Sequence, residues 1–285
     1  MAVKRLAGLA LLTLALLLPY APARAQERVV SVGGDLTEII YALSEEQRLV
    51  ATDSTSVFPE AAAALPKVGY VRRLSAEGVL SVEPDLMLIS GAAGPPEALE
   101  LLRASGVQIT EMQTAYTVEA IIDKTRRVAE ALDAQTAGAA LIAQIEADWE
   151  KAQAELASRE EHSMLFFAAP PEGAPRAAGR ETAAHGIIEL LGGRNVFDDY
   201  TGYKPLSLEA AVAANPDIVL VMHHHADRIG GFESVKEHPA LSLTAAAQEG
   251  RIYLVDPVTV MQFGPRTPAA VAALAAEIEG SNPSP

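Results

Sequence analysis

Short aliphatic runs alternate with stretches of helical periodicity along most of the chain. Val29 to Val32 is a β-branched run closed by Gly33-Gly34, which reads as a strand followed by a turn. Asp35 or Thr37 can cap a helix over Leu36 to Leu43. Leu86 to Ile89, behind a Pro84-Asp85 break, and Val107 to Ile109 read as further buried strands. The pattern then changes. From Thr117 to about Glu161 there is no proline and no strand signal, and a helix over Thr117 to Leu132 precedes a longer one over Thr136 to Arg159. In the longer one Ala140, Ile142, Ile145 and Trp149 fall near helical spacing. Strand signals resume at Met164 to Phe167, Ile218 to Met222 and Ile252 to Val255. Strands alternating with helices on both sides of a helical stretch predict mostly parallel sheets and a rigid helical connector.

A repeat crosses that connector. Leu74-Ser75-Ala76-Glu77 followed by Pro84-Asp85 and Leu86 to Ile89 is answered, 132 positions on, by Leu206-Ser207-Leu208-Glu209, Pro216-Asp217 and Ile218 to Val221. Gly69-Tyr70 is answered by Gly202-Tyr203 at a separation of 133. Each unit reads as Gly-Tyr, a capped helix, a Pro-Asp break and a buried strand. Twice in near register, the string implies two related α/β lobes with a cleft between them, and such clefts hold ligands. The expected organisation is residues 1–25 as a signal peptide, 26–135 as the first lobe, 136–161 as the connecting helix and 162–285 as the second lobe.

The first segment differs in kind. Lys4 and Arg5 precede an apolar run from Leu6 to Leu18, Pro19 ends it, and Ala23-Arg24-Ala25 offers a peptidase site. That order is a secretory signal, and the run is shorter than the roughly 20 residues a membrane span needs. The chain has 285 residues, a formal charge of -15 and no cysteine. Disulfides, thiolate metal sites, a cysteine nucleophile and a lipid-modified cysteine are thereby excluded. The acidic balance argues against nucleic acid, whose phosphates need a basic face. The expectation is an exported monomer without a membrane anchor, in a Gram-negative periplasm.

Three segments could carry ligand chemistry. Tyr70 is followed by Val71-Arg72-Arg73. Neighbouring positive charge favours a phenolate, tyrosine is an axial haem ligand, and arginines pair with carboxylates. A rim tyrosine beside two solvated charges fits the same residues. His223-His224-His225, with Arg228 behind it, follows a strand on what reads as the crevice side. Imidazoles bind several transition metals, and on an extended segment at most two of the three can share a site; a polar surface loop is the other reading. Arg266, in Phe263-Gly264-Pro265-Arg266, and Lys204 beside Tyr203 are cationic candidates for an anionic group. Glu77 and Glu209 each open a repeated helix, where the dipole favours a carboxylate. Their equivalence also suits docking on a two-fold symmetric partner. There is no Gly-x-Ser-x-Gly elbow, P-loop, His-Glu-x-x-His or Gly-x-Gly-x-x-Gly, and nothing demands an enzyme.

These motifs, with Val32-Gly33-Gly34-Asp35-Leu36-Thr37-Glu38, Asp53-Ser54-Thr55-Ser56, Ala177-Ala178-Gly179-Arg180-Glu181-Thr182 and Phe263-Gly264-Pro265-Arg266-Thr267-Pro268, resemble the periplasmic haem-binding proteins of bacterial haem ABC importers. That class also includes vitamin B12 and siderophore binders. The resemblance implies an α/β fold of two Rossmann-like lobes with a ligand cleft, bridged by one long helix. It implies a carrier that takes up haem and delivers it to an inner-membrane permease dimer. Tyr70 would be the axial ligand to haem iron and Arg72 its support, with Arg73, Lys204, Arg228 and Arg266 as further haem-binding cations. Glu77 and Glu209 would dock on the permease. Some relatives carry a histidine after the first strand of the second lobe; Phe166 to Gly173 has none here, and His223 to His225 are left as substitutes. The alternative cargo is a siderophore, a cobalamin or a bare metal ion held by the histidine run.

Overall fold

A computed structural model describes residues 27–157, 159–170 and 174–280. The signal-peptide segment lies outside the described residues. The first lobe contains β1 (Val29–Val32), α1 (Gly34–Ala42), β2 (Leu49–Thr52), α2 (Glu60–Ala63), the short pair β3 (Gly69–Tyr70) and β4 (Arg73–Leu74), α3 (Ala76–Leu80), β5 (Leu86–Ser90), α4 (Pro96–Ala104) and β6 (Gln108–Met112). Two helices follow, α5 (Val118–Ala131) and α6 (Gln135–Leu156). The second lobe contains β7 (Ser163–Ala168), β8 (Arg176–Ala178), α7 (Ala183–Leu190), β9 (Arg194–Asn195), β10 (Tyr203–Pro205), α8 (Leu208–Ala214) and β11 (Ile218–Met222). It continues through α9 (His223–Arg228), α10 (Phe232–Lys236), α11 (Ala245–Gln248), β12 (Ile252–Val255) and α12 (Thr267–Glu279).

The first sheet is wholly parallel, in the order β2-β1-β5-β6. The second runs β10-β8-β7-β11-β12, parallel from β7 to β12 and antiparallel through β8 and β10. Both sheets are covered on both faces. Leu86 and Leu88 join one core of the first lobe while Met87 and Ile89 join the other. Leu220 and Val221 divide in the same way in the second lobe. Two-sided burial is why these strands read as continuous aliphatic runs rather than as alternating ones.

The repeat has a structural basis. Ser75 Oγ accepts from the Gly78 N–H at the start of α3, and Ser207 Oγ accepts from the Ala210 N–H at the start of α8. Each unit passes through a left-handed residue before its proline, Glu83 with φ 45° and Asn215 with φ 39°. The aspartate that follows then ties down the head of the lobe's first strand. Asp85 Oδ2 accepts from Arg28 N–H and Asp217 Oδ2 from Ser163 N–H, each at 2.8 Å. The Pro-Asp break is therefore a register pin for two parallel strands, used once per lobe.

The predicted connector is α6, 22 residues long, about 33 Å at 1.5 Å per residue. It packs on α5 and on α12. It does not bridge alone. Val118 and Ile121 of α5 lie in the second lobe's core, whereas Val128 and Ala129 of the same helix lie in the first lobe's core. Leu141 of α6 packs against both. The lobes share a two-helix spine, so the passage between them begins well before residue 136.

The spine also holds a buried charge. Lys124 of α5 donates to Asp35 of α1 and, at 2.9 Å, to the Phe263 carbonyl of the second lobe. Only 8% of the Lys124 side chain and 11% of the Asp35 side chain are exposed. Removing one partner leaves the other charge buried and uncompensated. Lys124→Ala should therefore cost about 3–5 kcal/mol in urea unfolding, whereas the double change Asp35→Asn with Lys124→Met should recover much of the loss.

Candidate functional site

The crevice lies where the strand order of the first lobe diverges. β1 stands between β2 and β5, so the loops leaving β1 and β5 part company and open a space above the strand ends. Gly33-Gly34 turns the chain from β1 into α1, and the loop after β2 locks that turn. Asp53 is fully buried. Its Oδ1 accepts from Gly33 N–H and Ser56 Oγ, and its Oδ2 accepts from the N–H and Oγ of Thr55. Thr55 Oγ1 in turn accepts from Gly34 N–H. The Asp53-Ser54-Thr55-Ser56 motif thus shapes the crevice floor. A Cβ on Gly34 would collide with the Thr55 carbonyl and with Gln262 of the second lobe, so the close approach of the lobes here requires glycine.

The space between the lobes is a cavity of about 220 Å3. The first lobe lines it with Gly34, Tyr70, Val71, Arg72 and Ser90, and the segment before α5 adds Gln113 to Tyr116. The second lobe adds Ala183 and Met261 to Phe263. Tyr70 and Arg72 belong to a two-residue hairpin, since β3 and β4 pair antiparallel with Tyr70 opposite Arg73. The sequence suggests a loop there, and the hairpin is tighter. Val71 and Leu74 are buried, and the Gly94 backbone bonds both Val71 and Leu74. Between these anchors Tyr70 is left 41% exposed.

Two further tyrosines stand within electrostatic reach of Arg72, Tyr116 in the cavity wall and Tyr203 outside it. Tyr203, on β10, has its phenol pushed up to about 12 by burial first and by Tyr116 second, with Arg72 pulling the other way. Burial also raises Tyr116, again opposed by Arg72. Tyr116 meets Phe263 edge-to-face at 5.2 Å. The sequence offered a signal for Tyr203, because it is the repeat mate of Tyr70. None marked Tyr116, which immediately precedes a helix cap.

The other candidate cations have different surroundings. Arg266 pairs with Glu38 of the first lobe, Nη2 to Oε2 at 2.8 Å, and its guanidinium stacks 3.5 Å from the Phe58 ring centroid. Its charge is spent on an inter-lobe contact. Lys204 is exposed, with its ammonium 4.3 Å from the Tyr200 ring centroid. Arg228 donates to the Ala169 carbonyl at 3.0 Å, and Arg73 is exposed on β4. None of these four lines the cavity.

The histidine run departs from expectation. It is the helix α9, not an extended segment. Successive side chains therefore splay about 100° apart. His223 and His224 face solvent, whereas His225 is buried, its Nδ1 accepting from Ala169 N–H at 3.3 Å. Among the described residues no three His, Asp or Glu side chains are grouped to hold a metal ion. Glu77 and Glu209 are both exposed, at equivalent places on α3 and α8.

The sequence model of the periplasmic binding protein family matches residues 29–259. The chain belongs to that family. Among solved structures it is similar to the periplasmic heme-binding protein BhuT in complex with two hemes, at 37% identity and a TM-score of 0.86, covering 90% of this chain and 99% of that one. It is likewise similar to the periplasmic heme-binding protein RhuT from Roseiflexus sp. RS-1 in apo form, at 36% identity and a TM-score of 0.85, with coverage of 90% and 99%. The vitamin B12-binding protein of Vibrio vulnificus is 28% identical over 217 residues, 75% of this chain and 78% of that one. The two-lobe fold is shared by haem and B12 binders. The protein is accordingly a substrate-binding protein of the ABC-importer class, a solute-binding rather than an enzymatic family. Among the described residues no helix is long and apolar enough to cross a membrane.

Burial makes His225 a pH sensor for stability. Its pKa is lowered to about 4 by burial first, then by His224 and Arg228, against about 6.5 in an unfolded chain. Between those values the unfolded state binds the extra proton, so this contribution is complete above pH 6.5 and is lost as pH falls toward 4. The melting temperature of His225→Asn should fall less steeply than that of the parent over this window. Parallel melting curves from pH 7 to pH 4 check it.

Proposed function

We propose that the protein is an exported haem carrier. It captures haem in the inter-lobe cleft and delivers it to the permease dimer of an inner-membrane ABC importer, with no chemical step of its own. The observation that carries this reading is Tyr70, an exposed phenol held on a rigid hairpin in the cleft wall beside Arg72. The phenolate supplies a hard oxygen for ferric iron, and Arg72 supplies positive charge for it or for a propionate. Met261 and Tyr116, partly buried in the cavity wall, give apolar surface for the porphyrin faces. The periplasm is the compartment that suits the N-terminal signal, the family and the cargo. Haem-binding relatives at 36–37% identity over nine-tenths of the chain support the choice of cargo.

A cobalamin cargo is the second reading, favoured by the vitamin B12-binding relatives. A bare metal ion lacks support, because the histidine run is splayed on a helix.

Titration with ferric haem and, separately, with cobalamin distinguishes these cargoes. Saturable haem binding with a tyrosinate-type absorption spectrum is expected. Tyr70→Ala should lose that spectrum and weaken haem affinity at least about tenfold, equivalent to about 1.4 kcal/mol. Saturable binding of cobalamin without haem binding would overturn the haem reading, and an unchanged spectrum in Tyr70→Ala would remove Tyr70 as the ligand.

A further inference from the structure

The space around Tyr70 does not end at the wall of its own cavity. That cavity measures about 220 Å3, below the roughly 300–1,000 Å3 of sites that enclose a small molecule. Gln113 and Thr114, exposed on the segment between β6 and α5, line it and also line a second, more open recess of about 510 Å3. The recess lies at the carboxyl ends of β5 and β6, where Gly91 and Met112 form part of its wall. The two spaces are therefore neighbours across one pair of side chains, and together they fall inside the range of enclosing sites.

Helix α5 serves both spaces. Lys124 lines the cavity, and Arg127, three residues on, lines the recess. Residues three apart on a helix share a face, so the two cations are separated by about 4.5 Å along the axis. Their charges are used differently. Lys124 is held by Asp35. Arg127 donates from Nη2 to the Glu111 carbonyl at 2.9 Å and forms no ion pair among the described residues. The carboxylate that lines the recess, Glu111, is taken by Arg103, Nη2 to Oε2 at 3.0 Å. A guanidinium has several N–H donors, so Arg127 keeps donors to spare beside an acid that is already paired.

We propose that Arg127 is a second anion-binding residue of the cargo site, taking a carboxylate of a haem whose iron lies at Tyr70. This assignment rests on the haem reading and extends it: the macrocycle occupies the cavity, and a propionate passes Gln113 and Thr114 to the guanidinium. The planar fork of an arginine matches a carboxylate. Arg127 is partly buried, so the pair is screened less than a fully exposed one. The residue selects for a cargo with carboxylates on its rim, and a cobalamin, whose rim carries amides, gains nothing from it.

The test titrates the full mature protein with ferric haem and with its dimethyl ester, in which both propionates are uncharged. Arg127→Gln should weaken haem binding about fivefold or more, keep the tyrosinate-type spectrum, and leave the affinity for the ester as in the parent. Arg127→Lys should recover part of the loss, because it restores the charge without the fork. Gln113→Glu brings a negative charge to the shared rim and should likewise weaken haem but not the ester; it decides the matter if melting curves show Arg127→Gln to be unfolded. Arg126→Gln removes the neighbouring exposed charge, which pairs with Asp123 at 3.3 Å, and should match the parent. Equal losses for haem and ester, or no loss for haem, would overturn the proposal. A parent that binds no haem overturns the cargo reading and this assignment with it, whereas a parent that binds haem no better than Arg127→Gln overturns this assignment alone.

Discussion

One lysine holds the geometry on which the cleft depends. The Lys124 ammonium, from the spine helix α5, is shared between Asp35 at the start of α1 and the Phe263 carbonyl of the opposite lobe. Phe263 takes a left-handed backbone, φ 55°, at the point where the second lobe reaches over. A largely buried ammonium tolerates little displacement of its acceptors, because losing one leaves charge poorly compensated. The three segments that meet there also supply much of the cavity wall. The contact between the lobes is thus tied to a largely buried charge in the wall of the cavity itself. Around it stand lesser ties: Arg266 to Glu38, and the Gln262 amide to the Thr55 carbonyl at 3.1 Å.

Much of this architecture was legible in the sequence, for a definite reason. Parallel strands buried on both faces are mostly aliphatic, so Val29 to Val32, with only Ser31 polar, Leu86 to Ile89 and Ile218 to Met222 declare themselves. The repeat was legible because a capping serine and a strand-pinning aspartate stand at Ser75 and Asp85 and again at Ser207 and Asp217, whereas the left-handed exit between them, Glu83 in one lobe and Asn215 in the other, leaves no shared residue. The shared spine was not legible. A helix whose two halves serve two cores has the same 3.6-residue period as one that serves a single core, so α5 reads as part of the first lobe.

The site divided along the same line. Tyr70 with Arg72 stood out because arginines crowd a tyrosine in sequence, and the hairpin keeps them together in space. Arg266 was equally conspicuous, yet sequence cannot report that Glu38, 228 positions away, has claimed it. The histidine run misled because three imidazoles in a row suggest a ligand set, whereas α9 turns His225 inward to cap the Ala169 N–H. Tyr203 was marked as the repeat mate of Tyr70, whereas Tyr116 carried no mark, and both pack against the second lobe's core within electrostatic reach of Arg72.

The ion pairs also decide which cations remain for a ligand. An acidic protein can hold an anionic cargo only if some positive charge in its cleft is not already neutralised. Lys124 is bound by Asp35 and Arg266 by Glu38, so both serve the frame. Arg72 lines the cavity and makes no ion pair among the described residues. It acts on the phenols of Tyr116 and Tyr203, both of which burial pushes toward the neutral form. Phenols held protonated by burial carry no charge to set against an arginine near them, so the exposed Arg72 keeps its positive charge uncancelled. The frame thus uses carboxylates to silence its own cations and phenols to leave Arg72 unspent, directly beside Tyr70.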